Sequence, residues 1–216
     1  MPRYSGDARV APKTMTKDEQ ETLLKCTGED KKHLRDHVLL VLALATGLRQ
    51  HELVGLNVGD LFKGGDKVRK RVQLKVFKCS GPKSAYQEIM LAKEVRKKLE
   101  EYYRWKQQRG ESIEKRAPLF MSRNHNRLAT RTVRHLFVVW QERAELDRTY
   151  TFHALRHSAA MNHYRASNNI RLTQRFLRHK NLNTTMIYTL PTDEELADSV
   201  ELMSRRMKPP LPVLAA

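Results

Sequence analysis

The sequence predicts a mainly helical protein carrying one small antiparallel β-sheet. Three observations lead there. Capping-box signatures, T-K-D-E at 16–19 and T-D-E-E at 192–195, open segments with a helical period. Residues 38–45 (V-L-L-V-L-A-L-A) form the longest apolar run, which is of core length and well short of the ~18 residues of a membrane span. Between Val72 and Leu91 the apolar period changes from helical to two.

The elements follow in order. Residues 1–15 are rich in proline, glycine and basic residues and show no apolar period, so they read as a loose basic arm. Thr16 caps a helix from Lys17 to about Cys26, and Glu29 or Asp30 opens a longer one. His37 to Ala45 is its buried part, with Leu39, Leu40, Leu42 and Leu44 turned to the core. Gly47 stops it. Arg49 then lies at a helix-to-helix junction, and Gln50–Leu56 begins the next helix, anchored by Leu53 and Leu56.

Val58–Phe62 is a candidate third strand. Gly64-Gly65-Asp66 is a turn, Val72, Leu74 and Val76 form one apolar strand face, Gly81-Pro82 turns, and Tyr86–Leu91 returns. Ala92–Gln108 is an outer, charged helix. Val95, Leu99, Tyr102 or Tyr103, and Lys106 mark its inner stripe, and Lys97–Glu101 is an i,i+4 pair. Gly110 ends it, and Pro118-Leu119-Phe120 leads into the core. The polar loop Ser122–Arg127 is placed to reach a polyanion. In the helix Thr130–Ala144, Val133, Phe137, Trp140 and Ala144 share one face, while Arg131 and Arg134 lie on others. Thr151 caps the helix that carries His153 and Arg156. A last helix, Asp193 to about Met207, has a thin stripe of Leu196, Val200 and Met203, and Pro209–Pro212 begins an extended tail.

Composition bounds the function. The chain has 216 residues, enough to bury a core, and a formal net charge of +17. With a pI near 10.1, the expected partner is a polyanion, most often nucleic acid. The N-terminus M-P-R-Y-S-G has no apolar signal segment. Two cysteines, Cys26 and Cys79, make no disulfide framework, so the expected setting is cytoplasmic, with no membrane partner.

The chemistry gathers between Thr151 and Thr189. His153 and Arg156 are three apart, on one helix face in its first turn, where the helix dipole suits an anion. The arginine fork matches phosphate. His179 follows, and then Tyr188 in a run of small and apolar residues. A tyrosine hydroxyl, with an ordinary pKa near ~10, is a poor nucleophile until a clamped phosphate is set before it. Upstream, A-T-G-L-R-Q-H-E-L at 45–53 supplies Arg49 and Glu52. His153 and His157 have the spacing of a metal pair, but no H-E-x-x-H and no third ligand accompany them, so no metal is expected.

From about Thr16 to Arg206 the chain resembles the tyrosine recombinase (phage integrase) family, through its A-T-G-L-R-x-x-E-L, H-x-L-R-H and L-x-H boxes and the downstream tyrosine. The resemblance implies the tyrosine recombinase catalytic-domain fold over residues 16–207, with a tail at 208–216; the N-terminal core-binding domain that the family usually carries is expected to be absent, either removed or naturally missing. It implies that Arg49 and Arg156 hold a scissile DNA phosphate, that His153 and His179 complete its hydrogen bonding, and that Tyr188 forms a 3′-phosphotyrosyl link. Glu52 would orient the others. The general-acid lysine of the family lies on the hairpin, where Lys78 is preferred and Lys83 is the alternative. Arg131, Arg134, Lys83 and Arg178 are expected to contact DNA. Arg178 stands where the family usually has glycine, and is expected either to displace His179 slightly or to add a phosphate contact. No cofactor is needed.

The implied activity is site-specific recombination or integration of double-stranded DNA, with assembly through the C-terminal helix and a possible partner recombinase. Two alternatives are a type IB topoisomerase-like activity, which would relax plasmid without a specific site, and a non-catalytic DNA-binding accessory factor, which would survive loss of Tyr188. The chain alone is expected to bind DNA weakly and with strong salt dependence.

Overall fold

The computed structural model describes residues 12–74, 87–188, 197 and 200–204. The first helix, α1 (Lys17–Glu29), starts at the predicted cap: Thr16 Oγ1 accepts from Glu19 N (3.2 Å) and Glu19 Oε2 from Thr16 N (2.7 Å). Met15, assigned by sequence to the loose arm, is instead buried, and its N–H donates to Ser158 Oγ (2.8 Å). Asp30 caps a 3₁₀ turn, Lys31–His33, that leads into α2 (Leu34–Thr46).

Helix α2 is the centre of the core and packs on α1, α5 (Lys93–Gln108) and α7 (His153–Ser167). Its residues Val38, Leu39, Leu40 and Leu42 are buried on all sides, as a helix with a near-continuous apolar run must be. Gly47 ends it in the left-handed conformation (φ 57°). A Cβ there would lie 3.1 Å from Leu177 Cδ2 and 3.3 Å from Phe176 Cε1, so glycine lets this turn approach α8 (Ile170–Leu177) closely.

After α3 (Gln50–Gly55), residues 58–62 depart from the predicted strand. Val58–Leu61 is a short helix, α4, because the Asp60 carboxylate accepts from Asn57 N (2.8 Å) and closes a capping box. Val58 and Leu61, three apart, then both turn inward. Among the described residues the sheet is a two-stranded antiparallel pair, β1 (Arg71–Leu74) and β2 (Gln87–Met90), in the register Val72↔Ile89 and Leu74↔Gln87. Val72, Leu74 and Ile89 are buried, as the period-two pattern requires.

Helix α5 buries Val95, Leu99, both Tyr102 and Tyr103, and Lys106, whose ammonium meets Glu111 Oε2 at 2.7 Å. The expected Lys97–Glu101 pair does not form. Each partner takes a residue three away instead, Lys97 with Glu94 (3.1 Å) and Lys98 with Glu101 (3.4 Å). Arg127, expected in a loop that reaches outward, folds back and donates to the Val54 and Leu56 carbonyls and to Asn57 Oδ1. Helix α6 (Thr130–Arg143) buries Val133, Phe137 and Trp140 and leaves Arg131 and Arg134 exposed.

Helix α7 starts one residue later than predicted. Phe152 is drawn into the core against Phe137, with ring centroids 5.5 Å apart, and Thr151 contributes only its carbonyl, to Ala154 N (2.9 Å). A short helix, α9 (Asn183–Met186), precedes Tyr188. Residues 200–204 are helical, as expected of the last helix, and Val200, Leu202 and Met203 are exposed. Its predicted cap at Thr192 and the hairpin residues Lys78, Cys79 and Lys83 lie outside the described residues.

Candidate active site

Two helix C-termini converge beside the start of α7. The ends of α2 and α8 each leave carbonyls without helical partners, and their dipoles place negative charge there. Arg156, one turn into α7 and only 3% exposed, answers both: it donates to the Gly47 carbonyl and to the Leu177 carbonyl (2.8 Å). Its Nη2 also lies 3.0 Å from His179 Nε2. A guanidinium only donates, so His179 Nε2 accepts. The ring proton therefore sits on Nδ1, which donates to Thr185 Oγ1 (2.9 Å).

Arg49 sits at the entry to α3 with its side chain 36% exposed. Glu52, one turn on, accepts from Arg49 N (2.7 Å) through Oε2 and from Arg49 Nη1 (3.1 Å) through Oε1. Arg178 adds a third cation. It caps α8 in the left-handed conformation (φ 57°), and its Nη2 donates to Glu52 Oε2 (3.0 Å). The expectation that Arg178 reaches DNA meets a side chain only 4% exposed and turned inward.

His153 is exposed at the first position of α7, its ring edge-on to His157 with centroids 4.6 Å apart. Tyr188 is 3% exposed and packs with Ala160 and Leu177. Its hydroxyl lies 2.6 Å from His157 Nδ1.

The electrostatics follow from this crowding. Arg49 and Arg178 bond the Glu52 carboxylate and Arg156 lies within its field, three cations to that one anion, which leaves uncompensated positive charge. Burial, then Arg49 and Arg178, bring Arg156 down to about 10. His179 falls to about 4 through burial and then Arg156, and His157 to about 4 through burial, His153 and Arg156, so both rings are neutral. His153 is lowered by desolvation and the same arginines. Burial raises Tyr188, with Arg156 working against it. On Glu52 burial is outweighed by Arg178, the Arg49 N–H and the Arg49 charge, so its carboxyl stays below the ordinary range. Excess positive charge from the arginines, walled by neutral, partly buried rings, fits an anion.

The structure thus brings together Arg49, Glu52, His153, Arg156, His179 and Tyr188. Gln50, beside Arg49, donates to the Thr130 carbonyl (2.6 Å), which sets the start of α6, and Arg131 with it, next to this cluster. Sequence reasoning missed His157 and Thr185 as partners. His157 had a signal, since it stands four residues after His153 inside the same box. Thr185 had none beyond its place before Tyr188. Among the described residues no group of three His, Cys, Asp or Glu side chains is placed to hold a metal ion. No helix among them is long and apolar enough to cross a membrane.

Known proteins are similar to this chain in sequence and fold. The model of the phage integrase family matches residues 13–195. A tyrosine recombinase XerC from Caldanaerobacter subterraneus subsp. tengcongensis is 31% identical over 191 residues, 88% of this chain and 50% of that protein. The crystal structure of XerA recombinase aligns with a TM-score of 0.69 at 25% identity over 92% of this chain and 66% of that one. A post-cleavage complex of XerH site-specific recombinase aligns with a TM-score of 0.73 at 22% identity over 93% and 56%. The chain spans about half the length of the curated relatives it matches. On the family match and the shared fold, the chain belongs to the phage integrase family of tyrosine recombinases.

Proposed function

We propose that this chain carries the catalytic domain of a site-specific DNA recombinase, which breaks and rejoins DNA strands through a 3′-phosphotyrosyl intermediate. The observation that supports this most is the convergence of Arg49, His153, Arg156, His179 and Tyr188, drawn from three separated sequence boxes and the tyrosine downstream of them, around uncompensated positive charge.

The Tyr188 oxygen attacks the scissile phosphorus as its proton passes to His157 Nδ1, 2.6 Å away, and the P–O5′ bond breaks. Charge develops on the non-bridging oxygens, where Arg49 and the remaining N–H groups of Arg156 stabilise it. His153, exposed at the helix start, donates to the same oxygens. His179 holds the Arg156 guanidinium in place through Nε2, with Thr185 fixing its tautomer. The leaving 5′-oxygen takes a proton from Lys78, with Lys83 as the alternative; such an acid contributes roughly 10²–10⁴ in rate. The phosphotyrosyl bond conserves the phosphodiester energy, so rejoining needs no cofactor. Double-stranded DNA is the substrate. Arg131 and Arg134 hold its backbone, and the C-terminal helix, whose apolar residues Val200, Leu202 and Met203 are exposed, joins protomers or a partner recombinase on the DNA.

Covalent trapping tests the reading. The protein is mixed with nicked duplexes and denatured, and a DNA–protein adduct is sought beside Tyr188→Phe. The expected result is an adduct that the phenylalanine variant loses. An adduct that survives in Tyr188→Phe removes Tyr188 as nucleophile. DNA binding without any adduct, also after an N-terminal domain or a candidate partner recombinase is added, removes the catalytic reading in favour of an accessory factor.

A further inference from the structure

We propose that Arg178 is a positioning residue of the strand-breaking site: it occupies one oxygen of Glu52, so that Arg49 is anchored by the other and keeps its remaining donors turned to the phosphate. The inference rests on the recombinase reading above.

Two unfavourable features coincide at this residue. Its backbone is in the left-handed region (φ 57°), which side-chain-bearing residues rarely adopt, and its guanidinium is 4% exposed. Its Nε–H finds no acceptor among the described residues. Glycine at this position would remove both costs. A strained backbone holding a buried charge persists where its surroundings over-determine it, and this one borders the reacting groups.

What the side chain does there is specific. Arg156 bridges the Gly47 and Leu177 carbonyls, and Arg178 bridges the carbonyls next to them, Thr46 O (3.4 Å) and Phe176 O (3.1 Å). The two arginines thus cross-link the same pair of helix ends side by side. Their remaining donors diverge: Arg156 meets His179, and Arg178 meets Glu52 Oε2, the oxygen that also takes the Arg49 N–H. Only Oε1 is left for the Arg49 guanidinium, through the single atom Nη1. Without Arg178, only the Arg49 N–H still holds Oε2, and the Glu52 carboxylate can turn to clamp the Arg49 guanidinium through two parallel bonds, the geometry such pairs favour, and neutralise it. Arg178 therefore connects the turn carrying His179 to the turn carrying Arg49 and keeps the second available to substrate.

The test compares Arg178→Met, which keeps the Cβ and stem but no charge, with Arg178→Lys, which keeps the charge but not the fork. Each is made alone and with Glu52→Gln, and folding is checked by near-ultraviolet circular dichroism. Adduct formation is measured on a pool of nicked duplexes at saturating DNA, and the Glu52 carboxyl is titrated by carbon-13 NMR. The charged groups around it are Arg49, Arg178 and Arg156.

The expected result is a cleavage rate lowered about 10- to 100-fold in Arg178→Met, as misplacing a phosphate clamp does. Arg178→Lys recovers part of it. Glu52 titrates closer to the ordinary carboxylate range in the methionine variant and stays low in the lysine variant. In the Glu52→Gln background Arg178→Met causes little further loss, because the effect runs through that carboxylate. Equal loss in both backgrounds, or an unmoved Glu52 titration in a folded Arg178→Met protein, overturns the proposal. Should the methionine variant fail to fold, the partial loss in Arg178→Lys must vanish in the Glu52→Gln background, and its persistence overturns the proposal equally. If the wild type forms no adduct, it is the recombinase reading that fails, and the titration still decides whether Arg178 holds Glu52.

Discussion

Arg156 and Arg131 carry the same side chain on successive helices, and the structure uses them in opposite ways. Arg156 is nearly buried and spends three N–H contacts on the protein itself: the Gly47 carbonyl, the Leu177 carbonyl and His179. Arg131 stands on the exposed face of α6, and Arg134 one turn on is exposed as well. The first is part of the fold, and in the proposed reaction it offers substrate only the donors left over. The others face solvent. On that proposal a buried clamp supplies rigidity and electrostatic strength near the reacting atoms, while exposed arginines supply screened, sequence-independent attraction.

The sharpest way to break this contrast is to remove the buried cation. Arg156→Met leaves the Gly47 and Leu177 carbonyls without their donor, and each buried acceptor so orphaned costs roughly 1–3 kcal/mol. Urea unfolding should show that loss, and adduct formation should fall by about 10²–10³, the scale of losing a donor to a developing oxyanion. A variant with wild-type stability would mean that the two helix ends do not depend on this staple.

Acid reaches the same region more gently. His157 and His179 sit at about 4 in the folded chain against an ordinary 6.5, so between those values the unfolded chain binds more protons. Their contribution to stability is complete above pH 6.5 and declines as pH falls toward 4. His37, His153 and His163, also lowered mainly by burial, act in the same direction. The urea midpoint should therefore drop from pH 7 to pH 4.5, and His157→Gln should flatten part of that decline. A midpoint that holds constant over the window would contradict neutral, buried imidazoles at Tyr188 and Arg156.

The contrast between buried and exposed groups also marks what the sequence could reveal. Periods and caps were legible because they are local: Thr16 with Glu19, Gly47 after the apolar run, and Val72 and Leu74 on one strand face. The residues that gather around Arg156 were legible because their boxes are short strings. Side-chain direction was not. Arg178 turns inward because Glu52, 126 residues away, waits there, and Arg127 folds back onto carbonyls 71 and 73 residues distant. No local pattern encodes either pairing. Val58–Leu61 failed for a related reason, since a short apolar stretch fits strand or helix alike and the Asn57–Asp60 cap decided it. His157 was passed over because its partner, Tyr188, lies beyond the next helix.

The smallest effect is expected on the exposed side, and it is the one that separates the two kinds of arginine most cleanly. Arg131→Met and Arg134→Met remove no protein contact that holds the fold, so stability should stay within about 0.5 kcal/mol of the wild type. DNA binding should weaken uniformly across duplexes of unrelated sequence, because phosphate contacts carry no base information. Each lost contact should also reduce the slope of log affinity against log salt by about 0.9. Fluorescence anisotropy with a labelled duplex, at salt concentrations spanning a decade, reads both quantities. A slope that is unchanged in the double variant would take α6 off the DNA backbone and leave the positive charge around Arg49 and Arg156 as the place where binding begins. A slope reduced by about two, with adduct chemistry intact once DNA is saturating, would confirm that α6 gathers the substrate and the buried cluster breaks it.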